Sequence, residues 1–263
     1  MNIDFKVKVL NQDIMDIKAY LKRLHYQKET KVSKEVLWEL QQAHLLTVPF
    51  ENLDIHYQQK ISLDLETIFD KVVLNKRGGF CYELNGLFYA LLKSIGFEAK
   101  MISGRVATPE KTYGPEYDHL AIVVRIEGID YLVDVGFGRF SLAPLEIQMQ
   151  VPIVDALGVF QFEIYKKEYL QINSLEKETA IAQYIFKLQE REWAEFEEMC
   201  CFHQKSANSH FTQKKIISIL TPNGRITLND KWLKITTGGE IKEIEFEAEE
   251  FPVFLKTYFN ITL

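Results

Sequence analysis

The spacing of apolar residues changes near Gly96, and this change constrains the fold more than any other feature of the sequence. Upstream of Gly96, apolar residues recur three and four positions apart, as they do on one face of an α-helix. Four helices are predicted there: residues 12–26 (Ile14, Ile17, Tyr20, Leu21, Leu24), a helix capped by Ser33 (Val36, Leu37, Leu40, Leu45), a helix capped by Asp64 (Leu65, Ile68, Phe69, Val72, Val73), and residues 82–95.

Downstream of Gly96, β-branched and aromatic residues punctuated by glycines predict strands at 97–106, 119–126, 131–135, 159–172 and 180–189. The last part of the chain mixes both patterns. It predicts helices over 192–203 and 247–259, and a hairpin at Pro222-Asn223-Gly224 that joins strands 216–220 and 225–228. Helices first, strands next and a mixed segment last predict an α+β fold with boundaries near 96 and 190.

Composition excludes several classes of protein. With 263 residues, 47% of them apolar, the chain is long enough to bury a full core without disulfides or metals. Its 31 basic and 37 acidic residues give a net charge of -6, which argues against nucleic acid or an anionic membrane as a partner. No segment reaches the roughly 20 apolar residues that span a bilayer, and residues 1–14 lack the apolar core of a signal peptide.

The three cysteines, Cys81, Cys200 and Cys201, indicate a reduced, cytoplasmic enzyme rather than a disulfide-bonded secreted protein. Two of them are adjacent and rarely bridge each other. Adjacent cysteines are also poor tetrahedral chelators, even with His203 and His210 nearby, so no metal is predicted.

The segment RGGFCYELNG, residues 77–86, carries the strongest chemical signal. Its two glycines allow a tight turn or a close backbone approach, and Cys81 falls at the first turn of the helix predicted over 82–95. The partial positive charge of a helix N-terminus favours a thiolate, which a sulfur nucleophile requires. A buried structural cysteine explains the segment equally well, since cysteine is among the most buried residue types.

A nucleophilic thiolate also needs a base and a group that orients the base. His119 begins one predicted strand and Asp134 lies near the end of the next, with a turn signal between the strands. A two-residue loop would place both side chains on one face, within hydrogen-bonding reach, whereas a three-residue loop would place them on opposite faces. Cys81, His119 and Asp134 then make a Cys-His-Asp triad, and the alternative is an isolated structural His–Asp pair.

Together these motifs resemble the arylamine N-acetyltransferases. The resemblance rests on RGGFC, on DHLAIVV with His119 38 positions after Cys81, on DVGFG, and on PFENL at 49–53. It implies an N-terminal helical bundle (1–96) that carries the nucleophile, a central β-barrel (97–190) that carries the histidine and aspartate, and a C-terminal α/β lid (191–263). It also implies xenobiotic metabolism, with an acetyl group moving from acetyl-CoA to an aromatic amine or hydrazine through acetyl-cysteine.

The resemblance further assigns roles to individual residues. Cys81 corresponds to the nucleophile, His119 to its base and Asp134 to the orienting group. Phe50 and Phe137 correspond to residues that line the acceptor pocket, with core packing as the alternative for each. Asn208, Ser209 and Phe211 correspond to a segment that lines the CoA cleft, with a short polar loop as the alternative. Arg77 and Glu51 are expected to form a charge-assisted hydrogen bond that holds the cysteine turn.

Three other functions are open on the sequence. One is an amide synthase of the same scaffold, which takes its acyl group from a polyketide carrier. A second is a thiol hydrolase of papain or transglutaminase type, although papain-like enzymes place their histidine much farther from the cysteine. A third is a binding protein without activity, which the filled triad positions disfavour.

Overall fold

The computed structural model describes residues 15–177 and 179–263. Its α-helices are α1 (Ile17–Arg23), α2 (Lys34–Thr47), α3 (Leu53–His56), α4 (Leu65–Phe69), α5 (Cys81–Ile95), α6 (Glu197–Lys205) and α7 (Phe251–Phe259). A π-helical turn, Asp70–Leu74, continues α4. Within the part of the chain that the structure describes, no helix is long and apolar enough to cross a membrane.

The helix predictions are largely confirmed. Ser33 and Asp64 each cap a helix by accepting a backbone N–H, and Gly96 ends α5 in the left-handed conformation. The first helix, α1, is shorter than the predicted 12–26, and residues 12–14, including Ile14, lie outside the described residues. In the last segment, α6 and α7 begin later than predicted because a 3-10 turn precedes each of them.

Eight strands form one antiparallel sheet in the order β5-β4-β3-β2-β9-β8-β7-β6. They are β2 (Glu98–Val106), β3 (His119–Ile126), β4 (Ile129–Val133), β5 (Leu145–Glu146), β6 (Ile153–Asp155), β7 (Gly158–Tyr165), β8 (Tyr169–Glu176) and β9 (Thr179–Phe186). Although β5 and β6 are consecutive in the chain, they pair with opposite edges of the sheet. The short link between them therefore brings the two edges together, and the sheet is a nearly closed barrel.

The strands predicted around 159–172 are β7 and β8, which pair as a hairpin. The turn between them contains Lys166 and Lys167, both at positive φ, and Glu168. Charged residues replace the usual glycine, proline or asparagine there, so the sequence carries no turn signal.

A second sheet has the order β1-β10-β11-β12-β13, with β1 at Phe50–Glu51. The other four strands are β10 (Ile216–Thr221), β11 (Gly224–Asn229), β12 (Trp232–Thr237) and β13 (Glu240–Glu245). The predicted Asn-Gly hairpin is confirmed by the pairing of Thr221 with Gly224. Strands β12 and β13 were not predicted because their many lysines, glutamates and threonines leave most of their residues exposed, and few apolar residues mark the face that packs on the core.

The helices and the sheets pack around three apolar clusters, and this packing positions the site. Helices α1, α2, α4 and α5 share one apolar cluster with the outer face of β2, β3 and β4. A second cluster fills the barrel, and a third joins the second sheet to α7. Because α5 packs directly on β3, the first residue of the helix lies close to the start of the strand.

Candidate active site

A pocket of about 260 Å³ opens where α5 begins, next to the start of β3. Cys81, His119 and Asp118 line it together with three aromatic side chains, Phe50, Phe137 and Phe211. Cys81 and His119 are 3% and 2% exposed. The pocket therefore places a thiol and an imidazole in a common apolar environment.

Cys81 is the first residue of α5, as the sequence predicts. Phe80 is the N-cap, and its backbone N–H donates to the Glu83 side chain at 3.1 Å. Lys71 donates to the same carboxylate at 2.8 Å. These bonds fix the first turn of the helix and hence the position of the sulfur.

Burial acts against ionisation of the Cys81 thiol. It raises the pKa of this thiol well above the ordinary value, and a backbone hydrogen bond from Leu120 lowers the pKa only in part. A buried thiolate consequently needs a cation beside it. Within the described residues, the thiol makes no hydrogen bond to the His119 ring. Hydrogen bonds between a nucleophile and its base are commonly longer in enzymes without a bound ligand.

The hairpin that carries His119 and Asp134 has the two-residue loop that the same-face arrangement requires. Ile126 pairs with Ile129, which leaves Glu127 and Gly128 as the loop. The His119 Nε2 atom lies 2.7 Å from Asp134 Oδ2, and both side chains are buried. The predicted His–Asp contact is present.

Asp134 accepts three further hydrogen bonds. Its Oδ1 atom accepts from Asn85 Nδ2 at 2.8 Å and from the Gly136 N–H at 3.0 Å, and its Oδ2 atom accepts from the Tyr184 hydroxyl at 3.0 Å. Burial raises the pKa of Tyr184, so its hydroxyl stays protonated and donates. A carboxylate with four donors is held in one orientation and can hold the imidazole in turn.

Sequence reasoning assigned no role to Asn85 or Tyr184. Asn85 follows Cys81 by one helical turn and therefore shares its face, which is a signal that could have identified it. Tyr184 comes from β9, and nothing in the sequence pointed to its contact with Asp134.

Two glycines allow main-chain segments to approach the cysteine turn. A Cβ atom on Gly136 would lie 2.8 Å from the Cys81 Cα, and one on Gly78 would lie 2.1 Å from the Pro49 carbonyl oxygen. Both positions therefore exclude a side chain. The close approach that the glycines of RGGFC allow is present at Gly78.

The expected bond between Arg77 and Glu51 is also present. Arg77 donates to both oxygens of Glu51, at 2.8 and 3.0 Å, and to Asp54 at 2.7 Å. Glu51 further accepts the backbone N–H of Gly78 at 3.3 Å. This network ties strand β1 to the turn that precedes Cys81.

The aromatic residues divide between two sides of the pocket. The Phe137 ring contacts His119, with ring centroids 5.0 Å apart, and Phe50 contacts Phe211 at 6.1 Å. Among the three residues assigned to the CoA cleft, Phe211 lines the pocket. Asn208 is exposed, and Ser209 is buried with its hydroxyl 3.0 Å from His203 Nδ1.

The other cysteines differ in environment. Cys200 is buried and Cys201 is exposed. Within residues 15–177 and 179–263, no group of three or more histidine, cysteine, aspartate or glutamate side chains is arranged to hold a metal ion.

Comparisons with known proteins agree with the resemblance. A family model described as N-acetyltransferase matches residues 34–263. Arylamine N-acetyltransferase 1 of Homo sapiens is 38% identical in an alignment of 275 positions that covers 95% of each chain. The pineal gland isozyme of arylamine N-acetyltransferase from Gallus gallus is 36% identical, again over 95% of each chain.

Solved structures match as well. An arylamine N-acetyltransferase from Bacillus cereus, described as having a Cys-His-Glu triad, aligns with a TM-score of 0.87 and 28% identity over 95% of this chain and 100% of that one. The enzyme from Mycobacterium marinum in complex with CoA aligns with a TM-score of 0.86 and 29% identity over 94% and 93%. The chain belongs to the arylamine N-acetyltransferase family.

Proposed function

We propose that Cys81, His119 and Asp134 are the catalytic triad of an acetyl-CoA-dependent arylamine N-acetyltransferase, and that acetyl-Cys81 is its intermediate. Family membership makes the chain an acyltransferase. One observation carries the assignment of residues: the thiol and the imidazole line one pocket, and the carboxylate bonded to that imidazole lies directly behind it.

The proposed first half-reaction forms a thioester on the protein. The Cys81 proton moves to His119, which gives a thiolate beside an imidazolium and leaves the net charge of the pocket unchanged. The sulfur attacks the acetyl carbonyl carbon, and the bond from that carbon to the CoA sulfur breaks. CoA leaves as a thiol with the proton that His119 returns.

The second half-reaction transfers the acetyl group to nitrogen. The amine attacks the carbonyl carbon of acetyl-Cys81, His119 accepts a proton from the nitrogen, and the C–S bond breaks to release the amide and restore the thiol. Asp134 stabilises the imidazolium in both halves. This is a ping-pong scheme, because CoA leaves before the amine reacts.

The pocket also supports the proposed substrates. A neutral aromatic amine or hydrazine fits an apolar pocket that contains Phe50, Phe137 and Phe211. At the rim, the Lys214 side chain is exposed and forms no ion pair within the described residues, so it suits the phosphates of CoA. We assign Lys214 and Phe211 to the donor side and Phe50 and Phe137 to the acceptor side. No observation favours the amide synthase alternative.

The chain is also proposed to consist of three segments. We propose boundaries near 96 and 190 for the helical, barrel and lid segments, in line with the separate barrel core. Strand β1 from the first segment pairs with β10 in the last, so these segments are not independent folding units. A reducing, cytoplasmic setting stays a prediction.

Acetylation without an acceptor tests the proposal. The protein is incubated with acetyl-CoA alone, digested, and examined by mass spectrometry. We expect one acetyl group on the peptide that contains Cys81, with release of an equivalent amount of CoA, and we expect Cys81→Ser to abolish both. Cys201→Ser is the matched control and keeps the label. Acetyl found on Cys200 or Cys201 instead, or no label, contradicts the assignment.

A further inference from the structure

A second histidine–carboxylate pair lies beside the pocket. Asp118 directly precedes His119 and lines the pocket with Cys81. Its Oδ1 atom is 3.1 Å from Nε2 of His203, which α6 places behind the pocket wall. His203 is 3% exposed. Two His–Asp pairs thus flank one thiol, and the mechanism above uses only one of them.

The Asp118 charge is unfavourable for the proposed chemistry. A carboxylate near Cys81 disfavours both the thiolate and the oxyanion that forms when the sulfur attacks. Asp118 adds to the raised pKa of the Cys81 thiol. Asp134 raises the pKa of this thiol as well. Its oxygens, however, are already held by four donors, one of them His119, which the mechanism above uses.

His203 is the one basic side chain within ion-pair distance of Asp118 among the described residues. The other Asp118 oxygen accepts the Val106 N–H from β2 at 3.3 Å, and its main-chain carbonyl accepts the Tyr82 hydroxyl from α5 at 3.2 Å.

The remaining titratable groups around the pair are Cys81 on α5, His119 on β3, Cys200 on α6, and His210 and Lys214 at the rim. Glu116 also lies near in sequence, but it bonds to Ser103 and Tyr169 instead. Lys214 lines the same pocket, but within residues 15–177 and 179–263 no lysine or arginine forms an ion pair with Asp118.

The contacts of the His203 ring fit a doubly protonated imidazole. Nε2 faces the Asp118 carboxylate, and Nδ1 lies 3.0 Å from the Ser209 hydroxyl oxygen. That hydroxyl oxygen already accepts the Phe211 N–H and has a second lone pair for a ring N–H. Both ring nitrogens thus have an oxygen acceptor within reach.

We propose that His203 is a positioning residue for acetyl transfer: as an imidazolium it neutralises Asp118 and keeps a second negative charge away from the Cys81 thiolate. The inference rests on the proposed role of Cys81. It also gives a function to Ser209, which holds the far side of the ring.

The pH dependence of Cys81 alkylation tests this role. Wild type, His203→Gln, Asp118→Asn and the double variant are treated with iodoacetamide from pH 5 to 10, and the Cys81 peptide is quantified separately from Cys200 and Cys201. We expect His203→Gln to raise the midpoint by about one pH unit and to slow alkylation at pH 7 by about tenfold. His25→Gln, at an exposed histidine away from the pocket, is the control and should match wild type.

The Asp118 variants separate electrostatics from packing. If His203 acts by neutralising Asp118, Asp118→Asn has a midpoint at or below that of wild type, and the double variant returns to within about 0.3 units of wild type. A double variant as impaired as His203→Gln would mean that the ring only fills space, and this overturns the proposal. An unchanged midpoint in His203→Gln, or a raised one in Asp118→Asn, overturns it as well. Failure of the proposed function is recognised separately, since acetyl-CoA alone would then leave wild-type Cys81 unlabelled.

Discussion

The Nε2 atom of His119 lies 2.7 Å from Asp134 Oδ2, on a carboxylate that three other donors also hold. This contact fixes the plane of the imidazole ring. The other ring nitrogen, Nδ1, does not contact Asp134. A charge on the ring is stabilised by the same carboxylate. The contact between His119 and Asp134 can therefore be tested with variants of the residues that form and support it.

Asp134→Asn should lower kcat/KM by on the order of 1000-fold, because the amide neither stabilises an imidazolium nor accepts all four hydrogen bonds. Asp130→Asn is the matched control. Asp130 lies in the same hairpin, and its ion pair with Arg125 is at the surface. Steady-state kinetics with acetyl-CoA and an arylamine gives both values. If Asp134→Asn kept at least a tenth of the activity, the carboxylate would not have the proposed role.

His119→Gln should raise the pH at which Cys81 is alkylated. Burial raises the pKa of this thiol, and the thiolate is favoured only when a cation stands beside it. Removal of the imidazole removes that cation, so the thiol stays protonated to higher pH and reacts more slowly at pH 7. Wild type should be alkylated at a pH well below the 8.5 of a free thiol. His25→Gln, at an exposed histidine away from the pocket, serves as the control. Equal midpoints for His119→Gln and wild type would exclude a thiolate–imidazolium pair.

Tyr184→Phe should reduce kcat by about tenfold and the free energy of unfolding by about 1 kcal/mol. The substitution keeps the ring in the barrel core but deletes the donor to Asp134, so His119 is held less firmly. Tyr113→Phe removes a comparable hydroxyl, which bonds to Gln171 away from the pocket, and should affect stability alone. Activity and urea unfolding are measured on both. An equal effect on kcat in both variants would show that the Tyr184 bond is merely structural.

The site could be predicted from the sequence to the extent that its geometry is local. The hairpin register brings His119 and Asp134 together because the loop has two residues, which is one of the two lengths that the turn signal left open. The position of Cys81 at the start of α5 likewise follows from helix periodicity. By contrast, Tyr184 and His203 reach the site from β9 and α6. Contacts of such long range depend on barrel closure and packing, which no local pattern encodes.

The secondary structure likewise divides into elements that local sequence patterns predict and elements that they do not. Segments rich in buried apolar residues, such as α2 on one face and β3 on both, are visible in the sequence as apolar patterns. Strands β12 and β13 are mostly exposed, and their alternation of isoleucine with charged residues gives only a weak signal. The turn between β7 and β8 has lysines at positive φ, which propensity rules place in turns only rarely.

Phe211→Ala should raise the KM for acetyl-CoA by about tenfold, whereas Asn208→Ala should leave it within about twofold. Phe211 lines the pocket and packs against Phe50 and Phe80, so its loss removes apolar contact near the reacting thiol. Asn208 is exposed, and its backbone N–H donates to the Ser206 hydroxyl. Initial rates at varied acetyl-CoA provide the comparison. A larger effect at Asn208 would place the CoA cleft on the outer side of this loop.

Arg77→Lys should lower the free energy of unfolding by about 2–4 kcal/mol and should also impair acetylation of Cys81. A lysine ammonium lacks the planar fork with which Arg77 bonds to both oxygens of Glu51 and to Asp54. The fully buried Glu51 carboxylate would therefore lose part of its hydrogen bonding. The turn before Cys81 loosens as a result, because Glu51 also accepts the Gly78 N–H. Arg125→Lys changes an exposed ion pair and should leave the urea midpoint where it is in wild type. Urea unfolding gives stability, and the yield of acetyl-Cys81 after a fixed time with acetyl-CoA gives function. A variant with wild-type acetylation despite lower stability would show that the network holds the fold without aligning the nucleophile.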